Sequence, residues 1–196
     1  RPCRRRHRRP AIRTAPPSPS PAWSSAPRRR RRSVAATPPG IGGISVIRIS
    51  GKDAIAIADK RFRGKTKLAD AKSHTAHLGF FENSDSEQID QVVATVFIEP
   101  NSYTGENVVE ISCHGGTAVK KALLDILFSL GVKPAEPGEF TRRAFLNGKM
   151  DLAQAEAVMD LIQSGARKAS QAAADQLQGV LSGKIRDLSG QAVRLL

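Results

Sequence analysis

Residues 107–131 read NVVEISCHGGTAVKKALLDILFSLG. From Asn107 to Cys113 the run is dense in Val and Ile, which suits a pleated strand. His114 and two glycines make a turn. Ala118, Val119, Ala122, Leu123, Ile126, Leu127 and Leu130 then recur every three or four residues, forming one apolar stripe on a helix that reaches about Leu130. Gly131 ends that helix. A strand leading through a tight turn into an amphipathic helix is a building unit of an α/β domain.

The same grammar continues upstream. Val34 to Ala36 is a short apolar stub, and Thr37 to Gly43 is rich in turn residues. Ile44 to Ser50, ISVIRIS, predicts a second strand. Gly51 breaks it. Asp53 to Phe62 predicts a short helix, with Ile55, Ala58 and Phe62 at helical spacing. His74 to Glu82 and Ile89 to Ile98 predict two further strands, and Pro100 to Gly105 a loop. Downstream, Glu136 to Lys149 reads as a loop anchored by Phe140 and Phe145 and carrying five charges. Such a loop suits a binding site or subunit contact, or else a plain crossover between domains. Asp151 and Gln154 form the pattern of a capping box. Leu152, Ala155, Val158, Met159 and Ile162 continue as a helix. Beyond Gly165, Leu177, Leu181, Ile185, Leu188 and Ala192 repeat in helical steps. The expected organisation is a tail over 1–32, a mixed-sheet α/β (α+β) domain over 33–150, and over 151–196 the beginning of a helical domain that the sequence does not complete.

The net charge of +13 belongs to the tail. Residues 1–32 hold twelve arginines and no acid, and the remainder is nearly neutral. Nine of the twelve prolines lie in the first forty residues. Proline blocks helix and the arginines repel one another, so this stretch is expected to be disordered. It could serve as an organellar transit peptide or as an RNA-binding arm. The favoured expectation is a mispredicted or out-of-frame start, given the missing initiator Met and the abrupt loss of arginine runs. Two cysteines, Cys3 and Cys113, cannot make a disulfide framework. No apolar run approaches the roughly 20 residues that span a bilayer, and no membrane association is expected.

Two charged residues interrupt the apolar strands. Arg48 sits within Val46-Ile47-Arg48-Ile49, and Glu110 within Val108-Val109-Glu110-Ile111. An ionised group in such surroundings is costly unless paired. Either the two pair with each other or face solvent, or they line a pocket that offers a carboxylate to a donor-rich ligand and a guanidinium to an acid. His114-Gly115-Gly116 allows close backbone approach and a helix start suited to an anion or polar ring edge. A plain strand-to-helix turn accounts for it equally. The spacing of His74, His77 and His114 is no metal signature. The phosphate-loop pattern G-x-x-x-x-G-K-[ST] is absent from the chain, and the glycines at 40, 42 and 43 lead into a strand rather than a helix.

Three segments together are similar to one family. TPPGIGGISVIRISG (37–51), PNSYTGENVVEISCHGG (100–116) and EPGEFTRRAFLNGKMDLAQAEAVMDLI (136–162) closely resemble the N-terminal region of the MnmE/TrmE tRNA-modification GTPases. The resemblance covers about residues 33–196. It implies a folate-binding fold similar to that of aminomethyltransferases, dimerisation through this domain, and a tetrahydrofolate cofactor carrying one carbon (5-formyl- or 5,10-methylene-). It also implies an FAD-dependent MnmG/GidA-type partner, and modification of tRNA at carbon 5 of the wobble uridine, U34. By the same resemblance Arg48, Glu110 and Lys149 contact the folate. A carboxylate such as Glu110 can accept from adjacent N–H donors on a pterin edge, and a cation such as Arg48 or Lys149 can meet the anionic tail. Which cation meets which part is left open. GTP, Mg and K would belong to a G domain that does not follow here, so this polypeptide is not expected to hydrolyse GTP. Ile41 stands where many relatives carry arginine. A cytoplasmic setting is expected, or an organellar one should the tail be a transit peptide. Two other functions remain open: a stand-alone folate-dependent aminomethyltransferase, and an RNA-binding protein acting through its tail.

Overall fold

In the computed structural model, which describes residues 32–35, 42–164 and 167–194, ISVIRIS forms strand β2 (Ile44–Ser50) at the heart of a seven-stranded sheet. The other strands are β1 (Arg32–Ala35), β3 (Phe62–Gly64), β4 (Thr75–Glu82), β5 (Gln88–Phe97), β6 (Val108–His114) and β7 (Lys133–Pro134). Their order is β3-β4-β5-β6-β2-β1-β7. Every pairing is antiparallel except β1 with β7, so the sheet is mixed. The tail up to residue 31, Ile41 and the adjoining turn residues lie outside the described residues.

Alternation along the central strands explains the layering. Ile47, Ile49, Ala94, Val96, Val109 and Ile111 are all fully buried. They pack in one core with Ala54, Ile57 and Ala58 of α1 (Ala54–Asp59) and with Leu123, Ile126 and Leu127 of α2 (Thr117–Ser129). A strand turns successive side chains to opposite faces, so Arg48 and Glu110 fall on the other side of the sheet. There Ile44 and Leu78 stay largely exposed. α1 and α2 cover one face; the other is more open, and α3 reaches it beside Arg48 through Phe140.

Three expectations change. Phe62 does not end a helix: α1 stops at Asp59, and Phe62 begins edge strand β3, whose first side chain still points into the core. Both assignments bury Phe62, which is why spacing alone could not separate them. The segment after Glu136 is not a loop throughout, because Glu139–Leu146 forms α3. Gly138, at φ +72°, provides the left-handed turn into it. Within α3, Phe140 and Ala144 are one helical turn apart and buried, so Phe140 is an anchor; Phe145 is 40% exposed and is not.

The capping box forms at the start of α4 (Leu152–Gln163): Asp151 Oδ1 accepts the Gln154 amide at 2.9 Å, and Gln154 Oε1 accepts the Asp151 amide at 2.9 Å. Next come α5 (Arg167–Leu177), packed on α4, and α6 (Val180–Arg194). Leu152, Met159, Ile162, Leu181, Ile185 and Leu188 are exposed. No helix among the described residues is long and apolar enough to cross a membrane.

Candidate functional site

Arg48 and Glu110 are direct cross-strand neighbours in the β2–β6 ladder. Both lie on the open sheet face, each with about a quarter of its side chain exposed. Arg48 Nε donates to Glu110 Oε1 at 2.7 Å, and Arg48 Nη2 lies 2.6 Å from the same oxygen. The charges thus satisfy each other, which was the plainer of the two readings for them. The pairing is one-sided. Both contacts go to Oε1, and Oε2 accepts nothing from any described residue.

The guanidinium is also held by aromatic rings. Its central carbon lies 5.4 Å from the Tyr103 ring centroid and 5.6 Å from that of Phe140. A cation facing aromatic rings at this range is attracted by their quadrupoles. Tyr103 comes from the loop before β6 and Phe140 from α3, and Tyr103 Oη lies 2.9 Å from Thr141 Oγ1. Beside them opens a cleft of about 690 Å³, lined among others by Arg48, Tyr103, Phe140, Phe145, Met159 and Ile162. Its walls are mostly apolar, with Arg48, Glu136, Arg142 and Glu156 supplying charge. Glu110 stands behind Arg48 rather than in the lining.

Lys149 is not joined to the pair. Its ammonium donates to the Pro100 carbonyl at 3.1 Å, and its stem runs past Gly105. Gly105 has φ +73°, which favours glycine, and a Cβ there would lie 3.1 Å from Lys149 Cγ. The structure therefore brings Arg48 and Glu110 together and sets Lys149 on the neighbouring turn, against the same 100–106 loop that carries Tyr103.

Beneath this loop runs a buried polar network. Ser50 Oγ contacts Thr104 Oγ1 at 2.7 Å and donates to Glu106 Oε2 at 2.9 Å. Arg143 Nη1 donates to Glu106 Oε2 at 2.7 Å, and Arg143 Nη2 lies 3.0 Å from Glu139 Oε1. Glu106 is only 3% exposed. Sequence reasoning missed Tyr103, Glu106 and Arg143 as members of the site. The visible signals were a tyrosine in a polar loop and a doubled arginine inside the charged 136–149 loop.

The His114 corner is filled by the chain itself. Asp90 Oδ2 accepts the His114 amide at 2.8 Å, and Asp90 Oδ1 lies 2.6 Å from His114 Nδ1. A Cβ on Gly115 would overlap the Gly42 carbonyl, so its glycine serves backbone packing. Cys113 next to it is buried, and its thiol is pushed up to about 11 by burial first and by Asp90 second. Among the described residues no group of three His, Cys, Asp or Glu side chains could hold a metal ion.

Fold and site together define an α+β domain with one sheet face covered by α1 and α2 and a more open face, which bears an arginine–glutamate pair at the edge of an apolar cleft. A family model described as the GTP-binding protein TrmE N-terminus matches residues 33–149, and the chain belongs to that family. Among its curated relatives is the tRNA modification GTPase MnmE of Salinibacter ruber, 54% identical over 160 residues, which make up 82% of this chain and 34% of the relative. The MnmE proteins of Enterococcus faecalis and Acetivibrio thermocellus are 51% and 47% identical, again over 82% of this chain and 35% of theirs. The chain thus spans about a third of the length of the curated relatives it matches.

Proposed function

We propose that this chain binds a tetrahydrofolate carrying one carbon, 5-formyl- or 5,10-methylene-, at the Arg48–Glu110 end of the cleft. In this reading it serves, as a homodimer, the modification of tRNA at carbon 5 of U34, with an FAD-dependent MnmG/GidA-type protein as partner. The fold then parallels the folate domains of aminomethyltransferases.

One observation carries the reading. Glu110 spends one carboxylate oxygen on Arg48, and its other accepts nothing from the described residues. A pterin edge offers adjacent N–H donors, and charge-assisted bonds to a carboxylate are about twice as strong as neutral ones. Arg48 holds the Glu110 carboxylate in place through Oε1. The cleft supports it, because its size falls within the range of small-molecule sites, roughly 300–1,000 Å³, and its apolar walls suit a flat aromatic body. Tyr103 and Phe140 add ring faces beside Arg48. The exposed ammonium of Lys149 is free to leave the Pro100 carbonyl for an anionic tail. When bound, the folate supplies the one-carbon unit; this chain's own residues bind and orient it.

Titration calorimetry of the chain with 5-formyltetrahydrofolate tests the proposal. Saturable binding, weakened in Arg48→Ala, is expected. The absence of binding at millimolar ligand would refute it.

A further inference from the structure

The three residues assigned to the ligand stand on separate pieces of chain. Arg48 and Glu110 belong to the sheet, whereas Lys149 belongs to the turn after α3. Two more elements frame Arg48: the 100–106 loop through Tyr103, and α3 through Phe140. The loop touches β2 through Ser50 and α3 through the Tyr103–Thr141 contact.

The side chain at their junction is Arg143. It is 13% exposed and reaches two acids at once, Glu106 Oε2 at 2.7 Å and Glu139 Oε1 at 3.0 Å. Glu106 accepts from Ser50, which ends β2 only two residues beyond Arg48. Thr104, bonded to Ser50, offers its carbonyl to Asn147 Nδ2 at 2.5 Å, two residues before Lys149. One guanidinium therefore connects the end of β2, the loop, α3 and, through Thr104, the Lys149 turn.

An ion pair this deeply buried is weak evidence for stability, since apolar residues of similar volume often do as well. What a planar fork between two carboxylates provides is a fixed geometry. We infer that Arg143 is a positioning residue: through Glu106 it holds Tyr103 and Phe140 against Arg48 and keeps the Lys149 turn in register with the Arg48–Glu110 pair. The ligand that profits is the reduced folate, so this part rests on the function proposed above; the placement of Tyr103 does not.

Tyr103 is the chain's one tyrosine, so a ¹³C ring label gives a single resonance. The experiment compares wild type with Arg143→Lys, which keeps the charge but cannot span both acids, and with Glu106→Gln. Three quantities are read: the Tyr103 ring resonance, the Kd for 5-formyltetrahydrofolate, and the melting temperature. In folded Arg143→Lys and Glu106→Gln, the Tyr103 resonance is expected to move toward the free amino acid or broaden, and Kd to rise at least tenfold. A folded Arg143→Lys with an unchanged Tyr103 resonance and Kd within twofold of wild type overturns the inference. So does an Arg143→Lys chain that cannot fold, because the residue is then simply structural. If wild type itself binds no folate, the functional reading fails, and the Tyr103 resonance alone decides the positioning role.

Discussion

Replacing Glu110 by Ala separates binding from folding. In the free protein the substitution removes one ion pair on the open sheet face. Both partners keep about a quarter of their side-chain surface in water, so the released Arg48 can be solvated, and it still lies against the rings of Tyr103 and Phe140. Exposed pairs contribute about 0–1 kcal/mol and cross-strand pairs about 0.2–1 kcal/mol. The stability cost should therefore be about 1 kcal/mol, or roughly 2–4 °C in Tm for a folded part of this size. The cost to binding is larger. Glu110 would lose its bonds to the pterin edge, and hydrogen bonds to a charged group contribute about 1.5–3 kcal/mol each. Allowing for the water that reaches Glu110, a total of about 2–3 kcal/mol corresponds to roughly 30- to 150-fold in Kd. Calorimetry and thermal unfolding on the same preparation read both numbers. A Glu110→Ala chain that binds 5-formyltetrahydrofolate within twofold of wild type would remove Glu110 from the site. A Tm loss above about 10 °C would show the pair to be a structural element instead.

Further outcomes follow from the core and the titrating groups. Leu127→Ala opens a void under the sheet at a fully buried position, and should cost about 2–5 kcal/mol by denaturant unfolding. The Asp151 carboxyl is held below its usual range, chiefly by the hydrogen bond from Ser182 and then by the Gln154 amide. Its contribution is complete above the unfolded value of about 3.9 and disappears as pH falls through the lower folded value. The Tm difference between wild type and Asp151→Ala should therefore shrink on acidification below about pH 4. Cys113, with its thiol raised to about 11, should react with a disulfide reagent at pH 8 on the order of 100-fold more slowly in the folded Cys3→Ser chain than in urea. Equal rates would contradict its burial.

Much of the fold was legible because the central elements obey one period each. β2, β5 and β6 are β-branched runs with a buried face, and α2 carries an unbroken stripe. α3 was hidden by its brevity: of EFTRRAFL only Phe140 and Ala144 are buried apolar residues, and the two arginines between them mask the spacing. β7 has two residues and no pattern to read. The site was half legible. Charges inside apolar strands marked Arg48 and Glu110, but their contact joins residues 62 apart in sequence, and strand register across such a gap is written in neither segment. The rings around Arg48 come from segments that carry no periodic signal. Only the assembled loop and helix show that Tyr103 and Phe140 converge on it.

The most direct measurement is an amide shift map of the full chain with saturating 5-formyltetrahydrofolate. The largest changes are expected at Arg48, Tyr103, Glu110, Phe140 and the Asn147–Lys149 turn, with His114 and the β3–β4 edge unmoved. Changes confined to residues away from the cleft, or none at all, would contradict the assignment of this site to a reduced folate.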